Sequence, residues 1–291
     1  MSSLARFAPG DIFVTAADLD EAARFPTGQG KVLQFAADWT PKATFETNQT
    51  GLISSLTLDN AGNLHILDPQ ARSHIAIGPD GQLKAMFQKL PEAAYGSMIA
   101  LADGSFLLGE HMVGHIPGFD GKGHAYHVNA AGDVLAEYDT ETNGGVGGFL
   151  GVTHMAFSPG ADLLYHVSET GADIYAHDLT ANTRLGAQYT RTDPPPMVFG
   201  IAALADGTLL AAVGNGVRTI KPGGGVLREY EMPAGRGWAV VVLRDGGSSF
   251  WALDFFGGNL VCIDTTSGEL LLSKELGLAK CLTGIAEVRL S

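Results

Sequence analysis

The chain has 291 residues, 45% of them hydrophobic, which is too apolar for a disordered protein and long enough for one large core. Eighteen Lys plus Arg against 31 Asp plus Glu leave a formal charge of −13, so phosphate backbones and anionic lipid surfaces are poor partners. No apolar run is long enough to span a bilayer, and the first ten residues lack a signal-peptide pattern.

In chain order, residues 11–16, 31–36 and 42–47 read as three strands, with a long acidic loop expected over 16–30. Residues 53–68 (ISSLTLDNAGNLHILD) then form a hairpin by their turn chemistry, followed by strands at 73–77 and 83–88 across Gly78-Pro-Asp-Gly81. The same hairpin returns at 97–110 (SMIALADGSFLLGE), 154–169 (HMAFSPGADLLYHVSE), 200–215 (GIAALADGTLLAAVGN) and 238–254 (WAVVVLRDGGSSFWALD). After the last come strands at 259–264 and 270–274, then a lone apolar run at 282–290 (LTGIAEVRL).

Four strands per unit, repeating every roughly 48 residues without long amphipathic helices, is the pattern of a β-propeller. The three strands that open the chain lack a first strand, and the run at 282–290 is a first strand lacking the rest. Joined, they complete a sixth blade and remove an exposed sheet edge. The expected fold is therefore all-β: a six-bladed β-propeller, one domain over 1–291, with N- and C-terminal strands sharing the closing blade.

In such a blade the loop into the first strand and the loop out of the second open on one face, around a central funnel. The first-strand side brings Ser54, Tyr95, His154, Phe199, Arg236, Trp238 and Thr283 to that face. The second-strand side brings Asp68, Glu110, His111, Ser168, Glu169, Asn215 and Asp254. A carboxylate at a strand exit often only ties down the following loop. Glu110 is set apart because it opens the longest exit loop, 110–123, which also carries His111 and His115.

Gly114 and Pro117 argue against a helix that would make His111 and His115 a chelating pair. Histidine titrates near neutrality, so His111 and His154 are candidate acid–base groups, with Glu110 and Glu169 as partners. His65, His166 and His177 read as packing residues, and His74 as a loop-tying partner of Asp68. Tyr95, Phe149, Phe199, Trp238, Phe255, Arg236 and His115 are candidate substrate contacts, suited to a small apolar or aromatic molecule. There is no G-x-S-x-G, HExxH, P-loop or C-x-x-C motif, which sets aside serine-hydrolase, zincin and nucleotide chemistry. Cys262 and Cys281 lack disulfide or zinc spacing, so a cytoplasmic protein with reduced thiols is expected.

Residues 151–179 (GVTHMAFSPGADLLYHVSETGADIYAHDL) resemble a blade of the SMP-30/gluconolactonase-like superfamily, with its strictosidine synthase-like and NHL relatives. Residues 63–77, beginning NLHILDPQARSHI, resemble an NHL repeat. The resemblance implies a six-bladed propeller and a funnel enzyme, a hydrolase of a lactone or ester. It also implies one divalent cation, calcium, zinc, manganese or magnesium. Where that family places an Asn and an Asp ligand this chain has Thr153 and Phe199, so the family's metal site is not carried over. A rearranged site would use Glu110, Glu169 and Asp254. Virginiamycin B lyase-like propellers, to which the chain is also similar, place a Glu and a His at strand exits, loosely matched by Glu110-His111. The alternatives to hydrolysis are a metal-free lyase or isomerase with a His/carboxylate pair, and a non-catalytic NHL-like binding propeller.

Overall fold

A computed structural model describes residues 3–111, 121–140, 151–169, 171–235 and 237–289. The chain forms β1 (Ile12–Leu19), β2 (Gly28–Phe35) and β3 (Pro41–Gly51), then β4 (Ser55–Leu58), β5 (Leu64–Asp68), β6 (Ser73–Ile77) and β7 (Leu83–Lys84). Next come β8 (Tyr95–Ala100), β9 (Phe106–Glu110), β10 (Ala125–Val128) and β11 (Val134–Tyr138), then β12 (His154–Phe157), β13 (Leu163–Val167), β14 (Asp173–Asp178) and β15 (Thr183–Thr190). The last units are β16 (Gly200–Ala203), β17 (Leu209–Ala212), β18 (Val217–Ile220) and β19 (Val226–Tyr230), then β20 (Trp238–Arg244), β21 (Ser249–Asp254), β22 (Asn259–Asp264) and β23 (Leu270–Glu275), and finally β24 (Ile285–Glu287).

These strands make six antiparallel four-stranded sheets, one ordered β24-β1-β2-β3 and the other five each built from four consecutive strands. The structure is thus the expected all-β six-bladed propeller. Its closing blade joins β24 to β1 by pairing Val14 with Ile285 and Ile12 with Glu287.

Two expectations need correction. The acidic segment 16–30 is a shorter loop than expected: β1 and β2 pair as far as Leu19 with Gly28, so its two ends are strand and residues 20–27 form the connection. His74 does not tie to Asp68; its ring faces His65, with His65 Nδ1 to His74 Nε2 at 2.9 Å. Adjacent residues of a strand point to opposite faces, and His74 pairs across the sheet with Leu67 rather than with Asp68.

The core lies between blades. Leu210, Ala212 and Val217 of one blade pack on Trp238, Val241, Phe250 and Val261 of the next. Phe13, Phe106 and Phe250 are fully buried, each worth about 2–3 kcal/mol of removed apolar surface. Hydroxyl side chains at the tops of the inner strands stitch neighbouring blades together. Ser54 Oγ donates to the Gly96 carbonyl at 2.6 Å, Ser97 Oγ to the Val152 carbonyl at 3.3 Å, and Thr283 Oγ1 to the Ile53 carbonyl.

Candidate functional site

The register of the two innermost strands fixes which residues can reach the funnel. The last residues of the second strands in unbroken register with the first are Leu67, Gly109, Val167 and Ala212, opposite Ser55, Ser97, His154 and Gly200. The residue after each is Asp68, Glu110, Ser168 and Val213; of these Glu110 still meets Tyr95 across a bulge, and the other three leave the ladder with the first strand. In a fifth unit, where Leu253 pairs with Val240, it is Asp254, which likewise meets Trp238 across a bulge. Glu169 therefore stands one place beyond these exit residues, and so does His111.

The exit residues are given over to the fold. Asp254 is fully buried and its Oδ1 accepts the amides of Gly237 at 2.8 Å and Gly257 at 3.0 Å. Asp68 is equally inaccessible, and its Oδ1 accepts Leu52 N at 3.1 Å and Ala71 N at 2.9 Å. Glu110 Oε2 accepts Lys122 N at 2.8 Å and Gly123 N at 2.7 Å. Ser168 Oγ donates to the Gly151 carbonyl at 2.5 Å. Each closes its own loop, so Glu110 is held by backbone amides of 122 and 123 rather than facing a histidine.

The residues one place further on behave differently, because the next side chain along an extended chain falls on the opposite side. His111 Nε2 lies 3.9 Å from Glu169 Oε2, across the seam between two blades. The amide of His111 donates to the Ala94 carbonyl at 2.7 Å, and its backbone bridges to Gly151. Its ring rests against Gly96, where a Cβ would meet His111 Cβ and Nδ1 at 2.6 Å. Glu169 has its amide held by Thr153 Oγ1 at 2.8 Å, leaving the carboxylate directed toward His111. Its side chain keeps 37% of its surface open, and the protein packed around it pushes its carboxyl up to about 6.

His154 completes the group. Its ring donates to the Phe199 backbone carbonyl of the next blade, so it joins the belt of inter-blade hydrogen bonds made elsewhere by hydroxyls. Burial nevertheless dominates and holds it down to about 4. His111 is held to about 3, by burial first and by its neighbour His154 second. Both imidazoles are neutral at pH 7. With one N–H of His154 given to Phe199, the other ring nitrogen keeps its lone pair, and Nδ1 is buried without a hydrogen-bond partner among the described residues. The arrangement is a carboxyl that titrates near neutrality beside the neutral His111, which in turn neighbours the neutral His154, and this suits proton exchange with a bound molecule.

His154 also lines the axial channel, a cavity of about 430 Å³. Its walls are mostly apolar, including Met98, Met155, Phe157, Val240 and Ile285. Of the expected substrate contacts, Phe199 and Phe255 are half-buried at the rim, with Phe255 in edge contact with the exposed Phe256 at 5.0 Å. Tyr95 and Trp238 instead belong to the inter-blade core. Phe149, Arg236 and His115 lie outside the described residues.

The rearranged cation site does not assemble. Glu110 and Asp254 each use a carboxylate oxygen on two backbone amides, in different blades from Glu169. Among the described residues no group of three or more His, Cys, Asp or Glu is placed to hold a metal ion. The residues present therefore do not fit the divalent cation that the family resemblance implies. The sequence placed Ser54 and Thr283 on the funnel face but did not reveal that they and Ser97 form an inter-blade belt, or that Gly96 backs the His111 ring. A Ser or Thr at the start of repeated inner strands was the available signal for the belt.

No protein-family profile and no curated protein sequence matches this chain. Solved structures do match in fold. A protein of unknown function from Bacteroides caccae is 14% identical, with a TM-score of 0.65 over 97% of this chain and 100% of that one. A chain of a nidogen/laminin complex is 12% identical, with a TM-score of 0.63 over 96% and 98%. A catalytically inactive virginiamycin B lyase from Staphylococcus aureus, solved with quinupristin, is 13% identical, with a TM-score of 0.59 over 99% and 96%. At these identities the likeness concerns architecture alone: the chain is a six-bladed β-propeller, similar in fold to the virginiamycin B lyase and nidogen/laminin structures alike.

Proposed function

We propose that this propeller is a metal-independent lyase that opens a small, largely apolar lactone or ester by elimination in the funnel. The observation that carries the reading is Glu169. Unlike Asp68, Glu110 and Asp254, its carboxylate accepts no backbone amide among the described residues, and it stands 3.9 Å from His111. Above pH about 6 it is ionised and takes the proton from the carbon adjacent to the one that bears the leaving oxygen. The C–H electron pair becomes a C=C bond, the C–O bond breaks, and the departing carboxylate carries the negative charge. Glu169 then releases its proton to water. His154 and His111, both neutral, accept or donate hydrogen bonds that orient the ester, and the apolar channel and rim hold the remainder of the molecule.

Elimination is preferred to metal-assisted hydrolysis because no group of three or more His, Cys, Asp or Glu among the described residues is placed to hold a metal ion. The solved lyase complex supplies the choice of probe. The protein is incubated with quinupristin and with simple cyclic esters, and the products are weighed by mass spectrometry. Elimination from a cyclic ester leaves the mass unchanged and adds an alkene absorbance, whereas hydrolysis adds the mass of one water. A hydrolytic product returns the lactonase reading. No turnover of any ester, with Glu169→Gln indistinguishable from the parent in ligand-shift assays, overturns the enzymatic reading.

A further inference from the structure

Among the described residues one arginine side chain is completely inaccessible, and the chemistry above does not use it. Arg191 follows β15 and is 1% exposed as a residue, with nothing of its side chain reaching solvent. Burying a guanidinium is costly unless its donors are satisfied, and four contacts satisfy most of this one. Nη1 donates to the Met197 carbonyl at 2.9 Å and to the Val213 carbonyl. Nη2 donates to Asp193 Oδ2 at 2.9 Å and to Asn215 Oδ1 at 3.1 Å. Arg218 then grips the same Asp193 carboxylate from outside, with Nη1 and Nη2 at 2.8 and 2.9 Å.

The position of this knot gives it a consequence for the site. Val213 is the exit residue of its blade, where the other blades use Asp68, Glu110, Ser168 or Asp254 to close the loop. Here an arginine from the neighbouring blade does that work. Arg191 also anchors Met197, and the two residues after Met197 face the reacting groups. The Val198 amide donates to the Gly171 carbonyl at 2.7 Å, and the Gly171 amide in turn donates to the Ser168 carbonyl at 2.8 Å, which precedes Glu169. The Phe199 carbonyl accepts the hydrogen bond from His154.

We propose that Arg191 is a positioning residue for the funnel site: by fixing segment 197–199 it orients the His154 ring and the loop that carries Glu169. The inference rests on the reading of His154 and Glu169 as reacting groups, but its test does not require turnover. Lysine at 191 keeps the charge and cannot span Met197, Val213, Asp193 and Asn215 at once, because it offers one nitrogen where arginine offers a planar fork. Arg218→Lys loosens the same Asp193 carboxylate without touching Met197 or Val213 and serves as the comparison.

The imidazole of His154, identified by the signal lost in His154→Gln, is titrated by NMR in the substrate-free protein. Arg191→Lys is expected to move its midpoint upward by about one unit, as the loosened ring gains water, while Arg218→Lys leaves it in place. With a substrate in hand, kcat falls about 100-fold in Arg191→Lys with little change in KM, as expected for misplaced reacting groups. If Arg191→Lys melts lower but His154 titrates as in the parent, or if both variants shift it equally, the arginine is a structural residue and the proposal fails. Should Arg191→Lys not fold, Asn215→Ala removes one of the four contacts on an exposed residue. A smaller upward shift of His154 is then expected, and no shift overturns the proposal. Failure of the ester assays alongside a shifted His154 would reject the enzymatic reading and leave the positional coupling standing.

Discussion

Asp254 and Glu169 are both carboxylates at the top of a second strand, one residue apart in register and opposite in use. Asp254, the exit residue, is fully buried with two backbone amides on one oxygen. Glu169, one place later, turns to the other side of the chain and meets a histidine of the adjacent blade instead. The same displacement separates Glu110 from His111. Residue type alone does not distinguish a loop tie from a reacting group here; the parity of the position in the ladder does.

Breaking each member of this comparison should give opposite results. The largest expected effect is on turnover in Glu169→Gln, a loss of about 100-fold or more with the melting temperature unchanged or slightly raised at pH 7. Asp254→Ala should do the reverse, costing about 3 kcal/mol of stability in chemical denaturation because two buried amides lose their acceptor. If Asp254→Ala unfolds no more readily than the parent, the exit residues are not the ties described here.

Gly96→Ala sharpens the comparison from the histidine side. Its Cβ would press on His111 Cβ and Nδ1 at 2.6 Å, so the ring must move away from Glu169. Turnover should fall about tenfold or more while the inter-blade bond that Ser54 makes to the residue 96 carbonyl persists. A variant with full activity would remove His111 from the site.

The pH dependence follows from the shifted groups, with the signs worked through. The Glu169 carboxyl is raised from 4.5 to about 6 on folding, so its contribution to stability is complete below pH 4.5 and is lost as pH rises through about 6. Glu169→Gln should remove that loss, and the pH–rate profile should rise with a midpoint near pH 6 in the parent. His154 is lowered from 6.5 to about 4, so its contribution is complete above pH 6.5 and is lost as pH falls through about 4. His154→Gln should flatten that acid limb in thermal melts. These shifts in melting temperature are the smallest of the expected effects, and an unchanged acid limb would mean that His154 is hydrated in the native state.

Much of the blade architecture was legible in the residue pattern. The hairpins at 53–68, 97–110, 154–169, 200–215 and 238–254 all form where alternation and Gly-containing turns place them, because strand period and turn chemistry are local properties. The split closing blade was legible too, since three strands at one end and one at the other leave a single way to avoid an open edge. The acidic 16–30 stretch was misread because its charges mark exposed edges of a long hairpin as readily as a loop. The site was legible only as a set of candidates: His111, His154 and Glu169 were in it, and so were Glu110, Asp254, Tyr95 and Trp238.

The sequence by itself determined the six blades, the acidic and largely apolar character, and the face on which the candidate histidines and carboxylates gather. The tertiary structure decided which of them meet. Strand register places Glu110 and Asp254 on their own loop amides and sends the next residues across blade seams. Those seams join segments distant in sequence, His111 to Glu169, His154 to Phe199 and Arg191 to Val213, which no local pattern of residues records.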